Sequence, residues 1–171
     1  MGRKHHTVIT DLELAEKPTR FVPRPLGAFA VLRADAPPLH FYRYLYDAVG
    51  QNHVWVERKR LSDEALSEVI HHEDNLLYVL YGAGVPAGFA ELDQRDATST
   101  ELALFGLMPE FVGRGLGRWF LNEIIALAWT RPIERMTVNT CTLDHPGALP
   151  LYQKAGFVPV GRREAVLEEP D

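Results

Sequence analysis

The chain has 171 residues, of which 46% are hydrophobic and 24% charged, a composition typical of one globular domain and unlike that of disordered or fibrous proteins. Its formal net charge of −5 argues against a general nucleic-acid-binding protein, which would carry a basic excess. With a single cysteine, Cys141, the chain cannot form an intrachain disulfide or a cysteine-based zinc cluster, so we expect a reducing, cytoplasmic setting and no metal.

Neither a signal peptide nor a membrane-spanning segment is expected from the hydropathy of the chain. The first residues, 1–6, lead into polar sequence without an apolar core. The most apolar stretch, residues 76–90, is interrupted by Gly82, Gly84 and Pro86, so a β-hairpin is expected there instead of a membrane span.

The first 74 residues are predicted to contain two short strands followed by two helices. The strands lie within a proline-rich segment, 1–37, and the helices lie within residues 38–74. In the first helix, the spacing of Phe41, Leu45 and Val49 predicts one buried stripe. The elements are placed at strands 7–14 and 28–33, a helix over 39–49 closed by Gly50, and a helix that begins at Ser62.

The rest of the chain alternates strands with two further helices. A strand, a long helix and a strand across residues 101–141 form a βαβ unit, whose strands should be parallel and joined by a right-handed crossover. The predicted elements are a hairpin of strands 76–81 and 87–92, strand 101–107, helix 115–130, strand 135–141, helix 148–154 and strand 157–163.

The segment Val112-Gly113-Arg114-Gly115-Leu116-Gly117-Arg118 lies between a predicted buried strand and the start of the long helix. Its glycines allow a ligand to approach the backbone closely, and the N–H groups of the first helical turn have no partners within the helix. With the positive end of the helix dipole and two arginines, these donors predict a phosphate-binding turn. Neither a Walker loop nor a dinucleotide fingerprint is present, and a plain packing turn remains the alternative from the residues alone.

Two segments resemble motifs of the GNAT superfamily of N-acetyltransferases. Residues 107–117 are similar to its acetyl-CoA pyrophosphate motif, in which a strand leads into Gln/Arg-x-x-Gly-x-Gly/Ala. Residues 145–157 resemble its Asn-x-x-Ala-x-x-x-Tyr-x-x-x-Gly-Phe segment. The two motifs occur in the family's order, and the resemblance covers residues 75–163.

The resemblance implies a mixed α/β (α+β) fold in a single domain, 1–171. Its central sheet would be mixed but largely antiparallel, with the parallel βαβ unit of 101–141 and helices on both faces. Little sequence follows residue 163 to supply the family's last strand, so the extra N-terminal strand is expected to fill that position in the sheet. Residues 38–74 would form the acceptor side and 75–163 the acetyl-CoA-binding core.

Two positions depart from the family pattern. Val112 stands where Gln or Arg is preferred, which removes one side-chain contact but leaves the backbone donors in place. His145 stands where Asn is usual, and its contribution is left open.

The resemblance also implies direct transfer of an acetyl group from acetyl-CoA, the cosubstrate, to an amine in a ternary complex. Glu101 stands eleven positions before the start of the phosphate motif, the spacing of the general-base glutamate in the histone-acetyltransferase branch; Glu91, His145 and water are the alternatives. Tyr152 matches the tyrosine that protonates the departing thiolate. The residues expected to bind the cofactor, some through a main-chain N–H that polarises the acetyl carbonyl, are Phe105, Gly106, Leu107, Val112, Gly113, Arg114, Gly115, Leu116, Gly117, Arg118, Asn139 and His145.

The acceptor is expected to be a primary amine of a small molecule or a peptide, not nucleic acid. Tyr42 and Tyr46 are predicted to lie beside the buried stripe of the first helix and to wall a cleft open to Glu101, where aromatic faces attract an ammonium group. Whether the protein forms a homodimer is left open. Two other functions stay in view: a non-catalytic acyl-CoA-binding or sensor module of the same fold, and an unrelated phosphate-binding α/β protein.

Overall fold

The computed structural model describes residues 2–170, which form one seven-stranded sheet with two helices packed on each face. The strands are β1 (Lys4–Leu14), β2 (Phe29–Ala34), β3 (Asn75–Gly82), β4 (Val85–Asp93), β5 (Ser99–Leu107), β6 (Arg135–Cys141) and β7 (Val158–Glu168). The helices are α1 (Leu39–Gly50), α2 (Asp63–Ile70), α3 (Leu116–Ala128) and α4 (Ala148–Ala155), and short 3-10 turns lie at Arg58–Arg60 and Pro109–Phe111. None of the described helices is long and apolar enough to cross a membrane.

The strand order across the sheet is β2-β3-β4-β5-β6-β1-β7. Strands β5 and β6 are parallel, and every other neighbouring pair is antiparallel. The βαβ unit predicted over 101–141 is therefore confirmed, with α3 as its crossover helix. The mixed, largely antiparallel sheet covered by helices on both faces is confirmed as well.

The N-terminal strand completes the sheet between β6 and β7. It is antiparallel to both neighbours, with Leu12 opposite Val138 on one side and Ile9 opposite Arg163 on the other. The expectation that this strand fills the sheet position is confirmed. Strand β7 runs five residues beyond its predicted end, because its pairing with β1 continues as far as Glu168.

Two apolar cores lie on opposite faces of the sheet. Successive strand residues point to opposite faces, so that Val79 packs with α1 and α2 while Leu80 packs with α3 and α4. Helix α3 supplies Phe120 and Ile124, both fully buried. Burying one such side chain contributes roughly 1.5–3 kcal/mol, so α3 is firmly fixed against the sheet.

Leu45 and Val49 of the predicted stripe of helix α1 are buried as expected, but Tyr42 and Tyr46 take the place of Phe41. Tyr42, Leu45, Tyr46 and Val49 are at most 3% exposed, whereas Phe41 packs at the margin of the core. These four positions follow the i, i+3, i+4, i+7 spacing of one helical face. The prediction that the tyrosines lie beside the buried stripe is wrong, because both rings are part of it and polar partners inside the protein satisfy both hydroxyl groups.

Residues at the helix ends behave partly as predicted. The Ser62 hydroxyl accepts a hydrogen bond from the N–H of Ala65 at 3.2 Å and so caps α2. Gly50 is the last residue of α1 and not its cap; a Cβ at this position would lie 2.5 Å from the Cβ of Trp55. Glycine is therefore needed there for the close approach of the tryptophan ring.

Candidate active site

The parallel strands β5 and β6 separate near the middle of the sheet. Their pairing covers four residues on each strand and ends at Leu102 opposite Val138. Beyond this point β5 stays paired with β4 and β6 stays paired with β1. The register of β4 against β5 shifts between Glu91 and Leu92, and a bulge of this kind bends a strand locally and increases its twist. The edge of β5 over residues 103–107 consequently faces a gap.

This gap opens into a cavity of about 420 Å³, called here the main cavity. It extends from the turn at residues 112–118, the phosphate turn, past α4 to strands β1 and β7. Of the twelve predicted cofactor residues, ten line it: Phe105, Gly106, Leu107, Val112, Gly113, Gly115, Gly117, Arg118, Asn139 and His145.

The phosphate turn presents its backbone to the main cavity. Gly113 and Gly115 have φ angles of 82° and 75°, and a Cβ added to either would meet nothing within 4 Å. Helix α3 begins directly afterwards without a side-chain cap, so the N–H groups of its first turn are available to an anion. The other two predicted residues contribute no side chain to the lining, because Leu116 is buried in the core and the guanidinium of Arg114 lies over the Phe111 ring at 5.0 Å.

Tyr152 lines the main cavity from α4. Its ring is 5% exposed and packs edge-on against Phe105 and Phe157, at centroid distances of 6.3 and 5.9 Å. Burial raises the pKa of the phenol well above its ordinary value, and the nearby Asp144 carboxylate raises it further. The hydroxyl therefore keeps its proton throughout the neutral range, as a proton donor must.

Glu101 lies at the start of β5 and does not line the main cavity. The residue is exposed, and its side chain lies on the other face of the sheet from that of Leu102, beside Asp93 of β4 and Thr137 of β6. The pKa of this carboxyl is raised, because the surrounding structure partly removes it from water and because Asp93 is close. The structure thus keeps Glu101 separate from Tyr152.

Glu91, the alternative base, is engaged on both carboxylate oxygens. It is 1% exposed, and its Oε1 accepts a hydrogen bond from the Tyr42 hydroxyl at 2.5 Å. Its Oε2 accepts one from Nη2 of Arg58 at 2.7 Å. Burial, and then the Glu91 charge, raise the pKa of Tyr42. This network fastens the segment between α1 and α2 to β4.

Tyr46 separates the main cavity from a second, smaller one of about 310 Å³ and lines both. Its hydroxyl accepts a hydrogen bond from the N–H of Arg58 at 3.2 Å, and burial raises its pKa to about 12. Tyr42 lines only the smaller cavity. Of the two predicted acceptor tyrosines, Tyr46 alone borders the main cavity.

The segment after α1 forms the roof of the main cavity through Trp55. Its Nε1 donates a hydrogen bond to Oδ1 of Asp144 at 3.3 Å, and its ring packs against Tyr46 at 5.4 Å between centroids. The other oxygen of Asp144 accepts hydrogen bonds from the Thr140 hydroxyl at 2.7 Å and the Cys141 N–H at 2.9 Å. Asp144 therefore joins the roof to the end of β6.

His145 lies in the lining but is arranged as a hydrogen-bond donor. Its Nδ1 accepts a hydrogen bond from the N–H of Gly147 at 2.9 Å, so the neutral ring carries its proton on Nε2. The exposed ring meets His53 edge-on at 6.0 Å. This tautomer can donate from Nε2 to a ligand, while its Nδ1 lone pair is engaged by the Gly147 N–H.

Two carboxylates line the main cavity within residues 2–170, Glu57 and Asp144, and sequence reasoning identified neither. Asp144 is engaged by the hydrogen bonds described above, whereas Glu57 is exposed at the rim. Asp144 follows the predicted strand 135–141 in a turn, and an Asp in a turn often accepts a hydrogen bond from the nearby backbone, which was a local signal for its position. Nothing in the sequence distinguishes Glu57 from other surface glutamates. The described residues contain no group of three or more metal-ligating side chains.

Comparisons with known proteins agree with the fold. A family model described as an acetyltransferase (GNAT) domain matches residues 45–166. The fold is similar to that of a spermidine N-acetyltransferase from Vibrio cholerae in complex with CoA and spermine, with a TM-score of 0.63 and 20% identity, covering 81% of this chain and 95% of that one. It is similar as well to a GNAT family acetyltransferase from Elizabethkingia anophelis with acetyl-CoA bound, with a TM-score of 0.58 and 17% identity, covering 82% and 97%.

A third similar structure is a GCN5-related N-acetyltransferase from Sphaerobacter thermophilus, with a TM-score of 0.62 and 19% identity over 99% of this chain and 54% of that one. In six of the matched structures this chain spans 52% to 66% of the other chain's length. At these identities the likeness shows the fold alone. A search of curated proteins found no match.

Proposed function

The chain belongs to the GNAT superfamily of acetyltransferases, and we propose that it transfers the acetyl group of acetyl-CoA to an amine. The observation that carries this proposal is the continuity of the main cavity, which joins the phosphate turn to the gap between β5 and β6 and to the Tyr152 phenol. A cofactor with a diphosphate at one end and a thioester at the other matches this order, with the diphosphate at the phosphate turn and the thioester beside Tyr152.

In this proposal the backbone holds the cofactor. The N–H groups at residues 113–118 bind the diphosphate, and Arg118 adds one charge-assisted contact. The pantetheine arm lies in the gap and pairs with the free edge of β5 over residues 105–107. An N–H of this edge donates to the thioester carbonyl and stabilises the oxyanion that forms there.

The chemistry proceeds by direct attack. The neutral amine attacks the carbonyl carbon and forms the new C–N bond, and the C–S bond then breaks. Tyr152 donates its proton to the departing sulfur, and the excess proton on the nitrogen passes to a base. Holding both reactants in line supplies a large share of the rate, and each acid or base contributes about 10²–10⁴-fold.

Glu101 remains our candidate for the base, supported by its raised pKa. Because it lies outside the lining, a water molecule carries the proton between the amine and its carboxylate in this scheme. Glu57, at the rim of the main cavity, is the competing carboxylate. Glu91 has both oxygens engaged and is assigned a supporting role.

The acceptor is, in this proposal, a primary amine of a small molecule or a peptide. Tyr46 and Trp55 supply the aromatic faces beside which its ammonium group would arrive. We further propose that the described residues act as one domain, since both cores share a single sheet, and that the protein works in the cytoplasm, where the unpaired Cys141 would stay reduced.

The test is a thiol-release assay with acetyl-CoA against a panel of alkylamines, polyamines, amino acids, aminoglycosides and peptides. At least one amine should give release that depends on the amine, with the acetylated product identified by mass spectrometry. CoA binding in calorimetry without turnover on any amine would instead indicate a binding or sensor module. Absence of CoA binding altogether would favour the unrelated phosphate-binding protein.

A further inference from the structure

Strand β1 forms part of the wall of the main cavity. Ile9 lies directly opposite Cys141 of β6 and Arg163 of β7, and its side chain lines the cavity together with Cys141 and with Leu167 of β7. In the strand order, β1 and β7 follow β6 on the side away from β5. This end of the cavity therefore lies across β6 from the gap that receives the cofactor.

The same strand fixes the loop that follows β6. The N–H of Thr142 donates to the carbonyl of Val8 at 3.1 Å, and the N–H of Val8 donates to the Thr142 hydroxyl at 3.2 Å. The Thr142 hydroxyl also lies 2.9 Å from that of Thr7. Because this loop carries Asp144 and His145, β1 sets the position of polar groups in the cavity as well as one of its walls.

The cavity lining near Ile9 is largely hydrocarbon, and Arg163, directly opposite Ile9, forms an ion pair with Asp11 beside it. Ile9, Leu167 and Val54 present hydrocarbon, and Cys141 presents a small thiol that behaves as an apolar group. Glu57 lies at the rim. Among the lining residues that the structure describes, the one arginine or lysine is Arg118, which belongs to the phosphate turn.

We propose that Ile9 is a specificity-determining residue, and that the preferred acceptors are primary amines with an apolar carbon body. This inference rests on the proposed acetyl transfer. The apolar body packs against Ile9 and Leu167 while the amine points toward the gap. A second ammonium group at the far end of the acceptor would leave water beside Arg163, a cation whose charge already faces Asp11 and Glu57, so it would gain no free carboxylate, which costs binding energy.

The matched substrates are hexylamine and 1,6-diaminohexane, which have the same carbon chain and differ in one terminal ammonium group. We expect kcat/KM for hexylamine to exceed that for the diamine by about 10-fold or more. In Ile9→Ala the KM for hexylamine should rise about 10-fold while the KM for acetyl-CoA is unchanged. Val8→Ala, one residue away on the opposite face of β1, is the control. It should leave the ratio of kcat/KM for hexylamine to kcat/KM for the diamine unchanged.

Ile9→Phe, which puts a larger apolar ring in place of the Ile9 side chain and leaves no hole, protects the test against loss of folding in the alanine variant. It should disfavour hexylamine relative to methylamine without changing the unfolding transition. Preference of the wild-type protein for the diamine, or an unaltered hexylamine KM in folded Ile9 variants, would overturn the inference.

A second measurement does not depend on turnover. Because Cys141 is the single cysteine and lies opposite Ile9, its alkylation by iodoacetamide reports occupancy of this end of the cavity. With CoA saturating, added hexylamine should slow alkylation several-fold, and Ile9→Ala should abolish that protection. Protection without acetyl transfer would refute the proposed function and retain the amine site. Transfer without protection would retain the function and refute the role of Ile9, and failure of both would refute both.

Discussion

Nη2 of Arg58 lies 2.7 Å from Oε2 of Glu91, an ion pair in which the carboxylate is 1% exposed and the arginine side chain 24% exposed. The pair joins the 3-10 turn after α1 to the C-terminal part of β4, and the Tyr42 hydroxyl donates a hydrogen bond to the second carboxylate oxygen. Trp55, which forms the roof of the main cavity, lies three positions before Arg58. The buried pair therefore helps to hold Trp55 in place beside the proposed acceptor site.

Removing Arg58 should destabilise the protein far more than removing a neighbouring surface charge. In Arg58→Ala the Glu91 carboxylate stays buried without its cation, which costs about 3 kcal/mol or more. Lys59→Ala is the control, since Lys59 and Asp47 form an exposed pair at 3.4 Å whose loss costs less than about 1 kcal/mol. Urea unfolding gives both values, and equal losses would contradict the structural role assigned to Glu91.

The phosphate turn makes a prediction about cofactor affinity. Gly115→Glu brings bulk and negative charge to the proposed diphosphate position and should weaken CoA binding at least about 100-fold. Gly84→Glu is a matched control, because Gly84 also has a positive φ angle, 85°, and open space around it, but lies in the β3–β4 turn. Calorimetry should show normal CoA affinity in the Gly84 variant. Equal affinity in the two variants would remove the phosphate assignment.

How far the sequence anticipates the structure depends on whether a signal is local. The βαβ unit is predicted from the period of the hydrophobic residues, and the phosphate turn from glycines next to the start of a helix. The βαβ unit is confirmed, as is the position of β1 in the sheet. The burial of Leu45 and Val49 in α1 was predicted, but that of Tyr42 was missed, because the partner that satisfies the Tyr42 hydroxyl is 49 positions away in sequence. Periodicity contains no information about such a partner.

The missed parts of the candidate site have the same cause. The contact between Trp55 and Asp144 joins residues 89 positions apart, and Glu57, which lines the cavity, adjoins Arg58, whose ion-pair partner Glu91 is distant in sequence. Glu101 shows the converse, since its spacing from the phosphate motif fits the family while its carboxylate lies outside the lining. Motif spacing locates a residue along a strand and does not determine which space its side chain enters.

Tyr152→Phe should separate catalysis from binding. The change keeps the ring that packs against Phe105 and Phe157 and removes only the proton donor, so kcat should fall about 10²–10⁴-fold with little change in the KM for acetyl-CoA. Because burial holds the phenol pKa well above its ordinary value, wild-type kcat should show no loss near pH 10, the ordinary phenol pKa. Tyr78→Phe, on β3 outside the main cavity, is the control. Full kcat in the Tyr152 variant would assign the proton to water or another group.

Glu101→Gln tests the base through the pH dependence of turnover. Its kcat should fall most near neutral pH and less at high pH, where the free amine is abundant and needs no base. Glu57→Gln is the comparison, because Glu57 is the exposed carboxylate in the cavity lining. If the Glu57 variant shows the pH-dependent loss and the Glu101 variant does not, Glu57 is the base.

The raised pKa of Glu101 also predicts a pH-dependent stability effect. The folded protein holds the Glu101 proton more tightly than the unfolded chain does. The contribution of Glu101 to the free energy of unfolding therefore falls as the pH rises from its pKa in the unfolded chain to its pKa in the folded protein, and it stays constant above that pKa. Glu101→Gln removes this loss. The free energy of unfolding of the variant, relative to wild type, should therefore increase from about pH 4 to about pH 7. Urea unfolding at both pH values measures the difference, with exposed Glu110→Gln as the control, and a decrease over this range would show that the folded protein favours the charged carboxylate.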